Sequence, residues 1–79
     1  MSITAKNFGR NLKRICEQKG FSHREIAEKA LITEVRISRY VNGEKEPLWI
    51  DVQNLANVLG CCPEYLMQET VRQEAEEGE

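Results

Sequence analysis

Residues 22–47, SHREIAEKALITEVRISRYVNGEKEP, constrain the fold of this chain more than any other stretch. They read as two short helices joined by a tight turn. Ile26, Ala27 and Ala30 share one face of the first helix, and Ile37, Tyr40 and Val41 share one face of the second. Ile32 sits in the turn between them, and Ala27 is small where two crossing helices approach most closely. Ser22 is an N-cap, and Glu25 three residues on completes a capping box. Phe21 and Ile26 flank that cap as a hydrophobic staple. Thr33 repeats the device for the second helix, with Ile32 and Ile37 as its staple. Val41-Asn42-Gly43 stops the second helix, with Gly43 suited to a left-handed cap, and Pro47 opens a further helix. Two helices crossing in this way leave the outer face of the second free to enter a DNA major groove.

The rest of the chain supplies a scaffold for that pair. Helix one spans about residues 5–19, with Phe8, Leu12, Ile15 and Cys16 as an inward stripe and Gly20 as its stop. Helix two covers 23–30 and helix three 34–41. A polar loop follows over 42–47. Helix four covers 48–59, with Trp49, Val52, Leu55, Ala56 and Leu59 inward and Gly60 as its stop. Cys62-Pro63 starts helix five, with Pro63 at the first helical position and Tyr65 and Leu66 facing the core. After Gln68 the apolar repeat is lost. The organisation is therefore one all-α domain over residues 1–68 and an acidic tail over 69–79.

A chain of 79 residues makes one domain with a modest core, so association with a second copy would help it. No apolar run approaches the ~20 residues of a membrane span, and no cleavable signal pattern opens the sequence. The expectation is a soluble cytoplasmic protein with no membrane partner. The net charge of −2 hides a strong asymmetry. Residues 1–45 hold ten basic and five acidic side chains, whereas residues 46–79 hold one basic and eight acidic. Fields act over ~8 Å at physiological salt, so the first half can attract phosphate although the whole chain is acidic. The three cysteines, Cys16, Cys61 and Cys62, match no zinc module and read as packing or surface thiols. A metal site using Cys61, Cys62 and His23 is the sharper alternative and lacks a recognisable ligand frame. With one histidine, no nucleophile–base–orienter set and no glycine-rich phosphate loop, the chain is expected to be no enzyme and to use no cofactor.

The pattern resembles the phage-repressor type of helix-turn-helix regulators, the Cro and cI-like transcription regulators of the XRE family. The matching residues are Ser22, Glu25, Ile26-Ala27-Glu28-Lys29, Ile32-Thr33, Ile37-Ser38-Arg39, Asn42-Gly43, Pro47, Leu55-Ala56, Leu59-Gly60 and Glu64-Tyr65-Leu66. The resemblance covers about residues 8–67. It implies a compact five-helix, lambda-repressor-like DNA-binding domain whose helix-turn-helix is formed by helices two and three.

On helix three the outward positions are Glu34, Val35, Arg36 and Arg39, with Ser38 at the margin. These four are the candidate base contacts. Arg39 suits two acceptors of a guanine, Arg36 a base or a phosphate, and Val35 a thymine methyl. Glu34 either accepts from a cytosine amino group or stabilises a helix N-terminus. His23, Thr33, Asn42 and Lys45 are the candidate phosphate contacts. The resemblance places a Gln where His23 stands, beside a phosphate. His23 either donates there or is an exposed first-turn residue with no role. Lys6, Arg10 and Lys13 add a diffuse positive field or simply solvate helix one.

Four departures from the family pattern stand out. Leu31 occupies a turn position usually held by glycine, so either the backbone keeps a left-handed conformation at ~1 kcal/mol or more or the turn is built differently and the recognition helix re-aimed. Cys16 and Val41 stand where many relatives carry a partly buried Arg–Glu pair. Both charges are gone together, as losing one alone would strand a buried charge at ~3–5 kcal/mol, and the two residues are expected to pack near each other. Glu44 and Glu46 fill a loop that relatives often make basic. Cys61 and Cys62 replace small apolar and capping residues.

Function on this reading is a sequence-specific DNA-binding transcription regulator, a repressor, acting on double-stranded DNA as a homodimer. The family's usual dimer surface is helix five, where Leu66, Met67 and Val71 are the apolar candidates. The rival reading is a protein-interaction module on the same fold, such as an antitoxin-like or phage-encoded regulatory partner, motivated by the acidic second half.

Overall fold

The computed structural model describes residues 3–69, and Val71 with most of the acidic tail lies outside them. Five helices follow one another: α1 (Ile3–Lys19), α2 (His23–Ala30), α3 (Glu34–Val41), α4 (Trp49–Leu59) and α5 (Pro63–Met67). The expected order and boundaries are met to within about two residues, the usual uncertainty of a helix end. No strand occurs among the described residues. None of their helices is long and apolar enough to cross a membrane.

Local chemistry sets the boundaries. The Ser22 hydroxyl accepts from the Glu25 N–H at 3.1 Å, and the Glu25 carboxylate accepts from the Ser22 N–H at 2.9 Å. Each satisfies a donor that the first turn of α2 would otherwise orphan. Thr33 caps α3 by accepting from the Arg36 N–H at 3.1 Å. Four helices end in the same way, each with a left-handed residue: Gly20, Leu31, Gly43 and Gly60. In each, the next residue's N–H reaches back five positions: Phe21 to Cys16, Ile32 to Ala27, Glu44 to Arg39 and Cys61 to Ala56, at 2.9–3.0 Å. Leu31, at φ 60°, is the one that is not glycine. The turn therefore keeps the backbone that a glycine would adopt there, and α3 is not re-aimed by a different turn.

The helices bury one shared core. Phe8, Leu12, Ile15 and Cys16 of α1 meet Ile26, Ala27 and Ala30 of α2, Ile37 and Tyr40 of α3, Val52, Leu55, Ala56 and Leu59 of α4, and Leu66 of α5. Phe8 and Tyr40 pack edge to face with ring centroids 5.2 Å apart, an arrangement the ring quadrupoles favour. Cys16 belongs to the core and Val41 packs against it, so the positions that lost an Arg–Glu pair are filled by apolar side chains of one cluster. Gly9 sets the α1–α3 approach. A Cβ there would lie 2.8 Å from the Val41 carbonyl oxygen and closer still to that of Tyr40. Asn11 ties α1 to the end of α5, its buried Nδ2 donating to the Leu66 and Gln68 carbonyls at 2.7 Å each.

Three side chains depart from the sequence expectation. Trp49, assigned inward, is 54 % exposed, and Tyr65, also assigned inward, is 41 % exposed. At the start of α4 the inward position goes instead to Asp51, for reasons given below. Leu66, read both as facing the core and as a dimer-surface candidate, is fully buried, so it meets the first expectation and departs from the second. Because α5 packs on both α1 and α4, its apolar side is consumed by the core.

Candidate nucleic-acid interface

At 100° per residue, Glu34, Val35, Ser38, Arg39 and Asn42 fall on one side of α3. Glu34, Val35, Arg39 and Asn42 are all exposed, with Val35 at 64 %, and Ser38 is half-buried at the edge. The opposite side carries Ile37 and Tyr40, both fully buried. The face that the sequence marks as outward is therefore outward, and the helix beneath it is anchored through α1, α2 and α4.

The candidate phosphate donors surround this face at the helix ends. Thr33 stands exposed at the N-cap of α3, its oxygen already accepting from the Arg36 N–H and its proton free to be donated. His23 is half-buried at the first position of α2. Asn42 is exposed at the end of α3, and Lys45 is half-buried in the loop that follows. Glu44 and Glu46, both exposed, flank Lys45. The loop is thus a mixed surface and not a basic one.

Arg36 differs from the free outward guanidinium expected of it. Its direction round α3 falls between those of Arg39 and Tyr40, at the flank that faces α4. Its Nη1 donates to Asp51 Oδ2 at 2.9 Å, with the arginine side chain 38 % exposed and the aspartate 5 %. Tyr40, one turn further along α3, donates its hydroxyl to the same oxygen at 2.6 Å. That hydroxyl in turn accepts from the Leu48 N–H at 3.3 Å. Burial, and then the bond to Asp51, pushes the Tyr40 phenol up to about 12. The hydrogen bond to Asp51 raises Arg36 above its ordinary range. Asp51 was not among the residues the sequence singled out. Its sequence signal is faint: an acid in the first turn of a helix, which reads as a dipole-stabilising residue on the surface.

The cysteines have no comparable role here. Cys16 is buried, and burial, with Glu17 nearby, pushes its thiol up to about 11, away from thiolate chemistry. Cys61 is half-buried and raised by burial and by Cys62, and Cys62 is exposed. No three potential metal-ligating side chains gather among the described residues, so Cys61, Cys62 and His23 do not form a metal frame.

Comparison with known proteins gives the same architecture. The sequence profile of the helix-turn-helix domain matches residues 7–69. No curated protein matches the sequence. Among solved structures, the restriction-modification controller protein C.AhdI from Aeromonas hydrophila superposes with a TM-score of 0.76 at 21 % identity, covering 78 % of this chain and 94 % of that one. A hypothetical transcription factor, NHTF, from Neisseria superposes with a TM-score of 0.81 at 15 % identity, covering 91 % of this chain and 83 % of that one. With capped helices α2 and α3, a core-anchored second helix bearing an exposed polar face, and a profile match across most of its length, the chain belongs to the helix-turn-helix domain family.

Proposed function

We propose that this protein is a sequence-specific DNA-binding transcription regulator, acting as a repressor, that reads the major groove with α3. The observation that carries the reading is the exposed side of α3, where Arg39, Glu34 and Val35 project from a helix whose other side is locked in the core. Arg39 is the principal base reader, and Arg36 joins it from the flank. Thr33, His23, Asn42 and Lys45 hold phosphates and so set register and orientation. The protein binds as a homodimer whose two α3 helices enter successive major grooves ~34 Å apart on a palindromic site. With Leu66 in the core, Tyr65 and the half-buried Met67 are what α5 offers a second copy.

Selection of bound duplexes from a random pool tests the reading. A palindromic consensus supports it, and retention of no sequence refutes it. On the selected operator, Arg39→Ala removes ~1–3 kcal/mol of discrimination at one base pair of each half-site. Lys45→Ala weakens every duplex alike and reduces the salt slope by ~0.9 per lost phosphate contact. Light scattering of the complex checks the stoichiometry of two chains per site.

A second reading, a protein-interaction module, rests on a specific observation. Leu48, Trp49 and Ile50 are consecutive, large, apolar and each about half exposed, beside the acidic Glu44 and Glu46. Exposed apolar clusters of this kind mark partner surfaces. Absence of any gel retardation at low salt, together with co-purification of a single stoichiometric protein, favours it over the first.

A further inference from the structure

Asp51 is a buried acid at the third position of α4, outside the helix-turn-helix pair, and both of its bonding partners lie on the recognition helix. Arg36 and Tyr40 are one turn apart on α3 and converge on the single oxygen Oδ2. The carboxylate therefore holds one arginine nitrogen, Nη1, while the phenol bond fixes where the carboxylate sits. A guanidinium has two edges that can donate in parallel. With Nη1 engaged on Asp51, Nε and Nη2 make up the guanidinium's other two-donor edge. We propose that Asp51 is a positioning residue for DNA recognition, holding Arg36 so that its Nε–Nη2 edge meets the O6 and N7 acceptors of a guanine in the major groove. The inference rests on the DNA-binding reading above and extends it to a residue on another helix.

Two physical points select a base over a phosphate as the target. First, Arg36 and Asp51 together carry no net charge, so the pair attracts the phosphate backbone poorly. A base edge instead rewards aligned donors, which the pair supplies. Second, a long unconstrained arginine must give up its rotamer freedom on binding, whereas a held one has already done so. The proposal and a purely electrostatic role for Asp51 also differ in sign. Asp51→Asn removes a negative charge next to Arg36, so electrostatics alone predicts tighter binding to every duplex. Positioning predicts weaker binding to the operator only.

The experiment compares wild type, Asp51→Asn, Arg36→Ala and the double variant on the selected operator, on operators altered at each base pair, and on an unrelated duplex. Thermal melts of each variant run alongside. Asp51→Asn is expected to lose roughly 5- to 100-fold on the operator, at the same base pair at which Arg36→Ala loses discrimination. It is expected to bind the unrelated duplex as tightly as wild type or more tightly, and to cost nothing further when Arg36 is already alanine. Tyr40→Phe removes the bond that fixes the carboxylate and is expected to lower the melting temperature and to relax discrimination at that same base pair, by less than Asp51→Asn does. Where Asp51→Asn does not fold, Arg36→Lys keeps the charge and loses the fork, and is expected to lose the same discrimination. The proposal is overturned if Asp51→Asn tightens or leaves unchanged operator binding, weakens all duplexes equally, or costs as much without Arg36 as with it. It is equally overturned if Arg36→Lys reads the operator as wild type does. A wild-type protein that selects no sequence refutes the DNA-binding reading itself, and this inference with it.

Discussion

Leu31 offers a clean test of what the turn between α2 and α3 demands. Its backbone sits at φ 60° and ψ 42°, the left-handed region, while its side chain is 90 % exposed. A Cβ in that region costs ~1–2 kcal/mol. The exposed isobutyl group returns almost nothing by burial. Leu31→Gly removes the strain but gives the unfolded chain more freedom, a counter-effect of ~0.4–1 kcal/mol. The net expectation is a gain of ~0.5–1 kcal/mol, or a rise in melting temperature of ~2–8 °C for a domain of this size. Leu31→Ala separates backbone from side chain, since it discards the isobutyl group and keeps the Cβ. Its stability should stay within ~0.5 kcal/mol of wild type. Urea titration of the three proteins, fitted with a common slope, measures both differences. A Leu31→Gly variant no more stable than wild type, or an Ala variant as stable as the Gly variant, would refute the strain argument.

Three other perturbations probe the frame beneath the interface. Gly9→Ala should destabilise by about 1–3 kcal/mol through overpacking, although helix propensity alone favours alanine, because its Cβ would strike the Tyr40 and Val41 carbonyl oxygens; a stabilised variant in a urea melt would show that α1 and α3 are not in close contact. Asn11→Ala strips the donor from the Leu66 and Gln68 carbonyls and should cost about 2–4 kcal/mol, with early proteolysis near α5 as the local readout; unaltered stability would mean that the bonds are not made. Cys16 and Tyr40 are raised from 9.0 to about 11 and from 10.0 to about 12, so their neutral forms are favoured by folding. That stabilisation is complete below about pH 9 and is lost as pH rises through about 11 for the thiol and about 12 for the phenol; melting temperatures that stay level from pH 9 to pH 12 would contradict it.

The elements that were legible in the sequence are those whose cause is local. The capping box at Ser22 and Glu25, the Thr33 cap and the glycine stops lie within a few residues of what they satisfy, and each is found. The stripe Phe8, Leu12, Ile15 and Cys16 is buried as its spacing dictates. What was not legible depends on contacts between distant segments. Gly9 reads as an ordinary helical position until the α3 carbonyls are placed against it. Asn11 reads as a surface polar residue until α5 ends above it, 55 residues away in sequence. The start of α4 inverts the usual rule, with Trp49 largely outside and Asp51 inside. Hydrophobicity favours the tryptophan for the interior. A carboxylate can take that place only where donors meet it, and those donors, Arg36 and Tyr40, come from another helix. The exposed side of α3 was legible as a face, and the orientation of one of its four candidate base readers was not.

The same inversion shows how this chain anchors its recognition helix. The resemblance leads one to expect a charged pair between α1 and α3, and the two positions that would carry it hold Cys16, in the core, and Val41, packed against it. A charged link joins Arg36 to Asp51, between α3 and α4. The two arrangements are not equivalent. A pair directed into the core from Val41 stabilises the helix from behind and touches no ligand. A pair at the flank includes a guanidinium that is still more than a third exposed, so the link lies beside the surface that would contact DNA. On the proposed DNA-binding reading, stability and recognition share one side chain. A loss of binding on removal of Arg36 alone mixes a lost contact with an aspartate left buried and short of a donor. Only the comparison of Arg36→Ala with and without Asp51 separates the two, since the stranded carboxylate disappears in the double variant while the lost base contact remains.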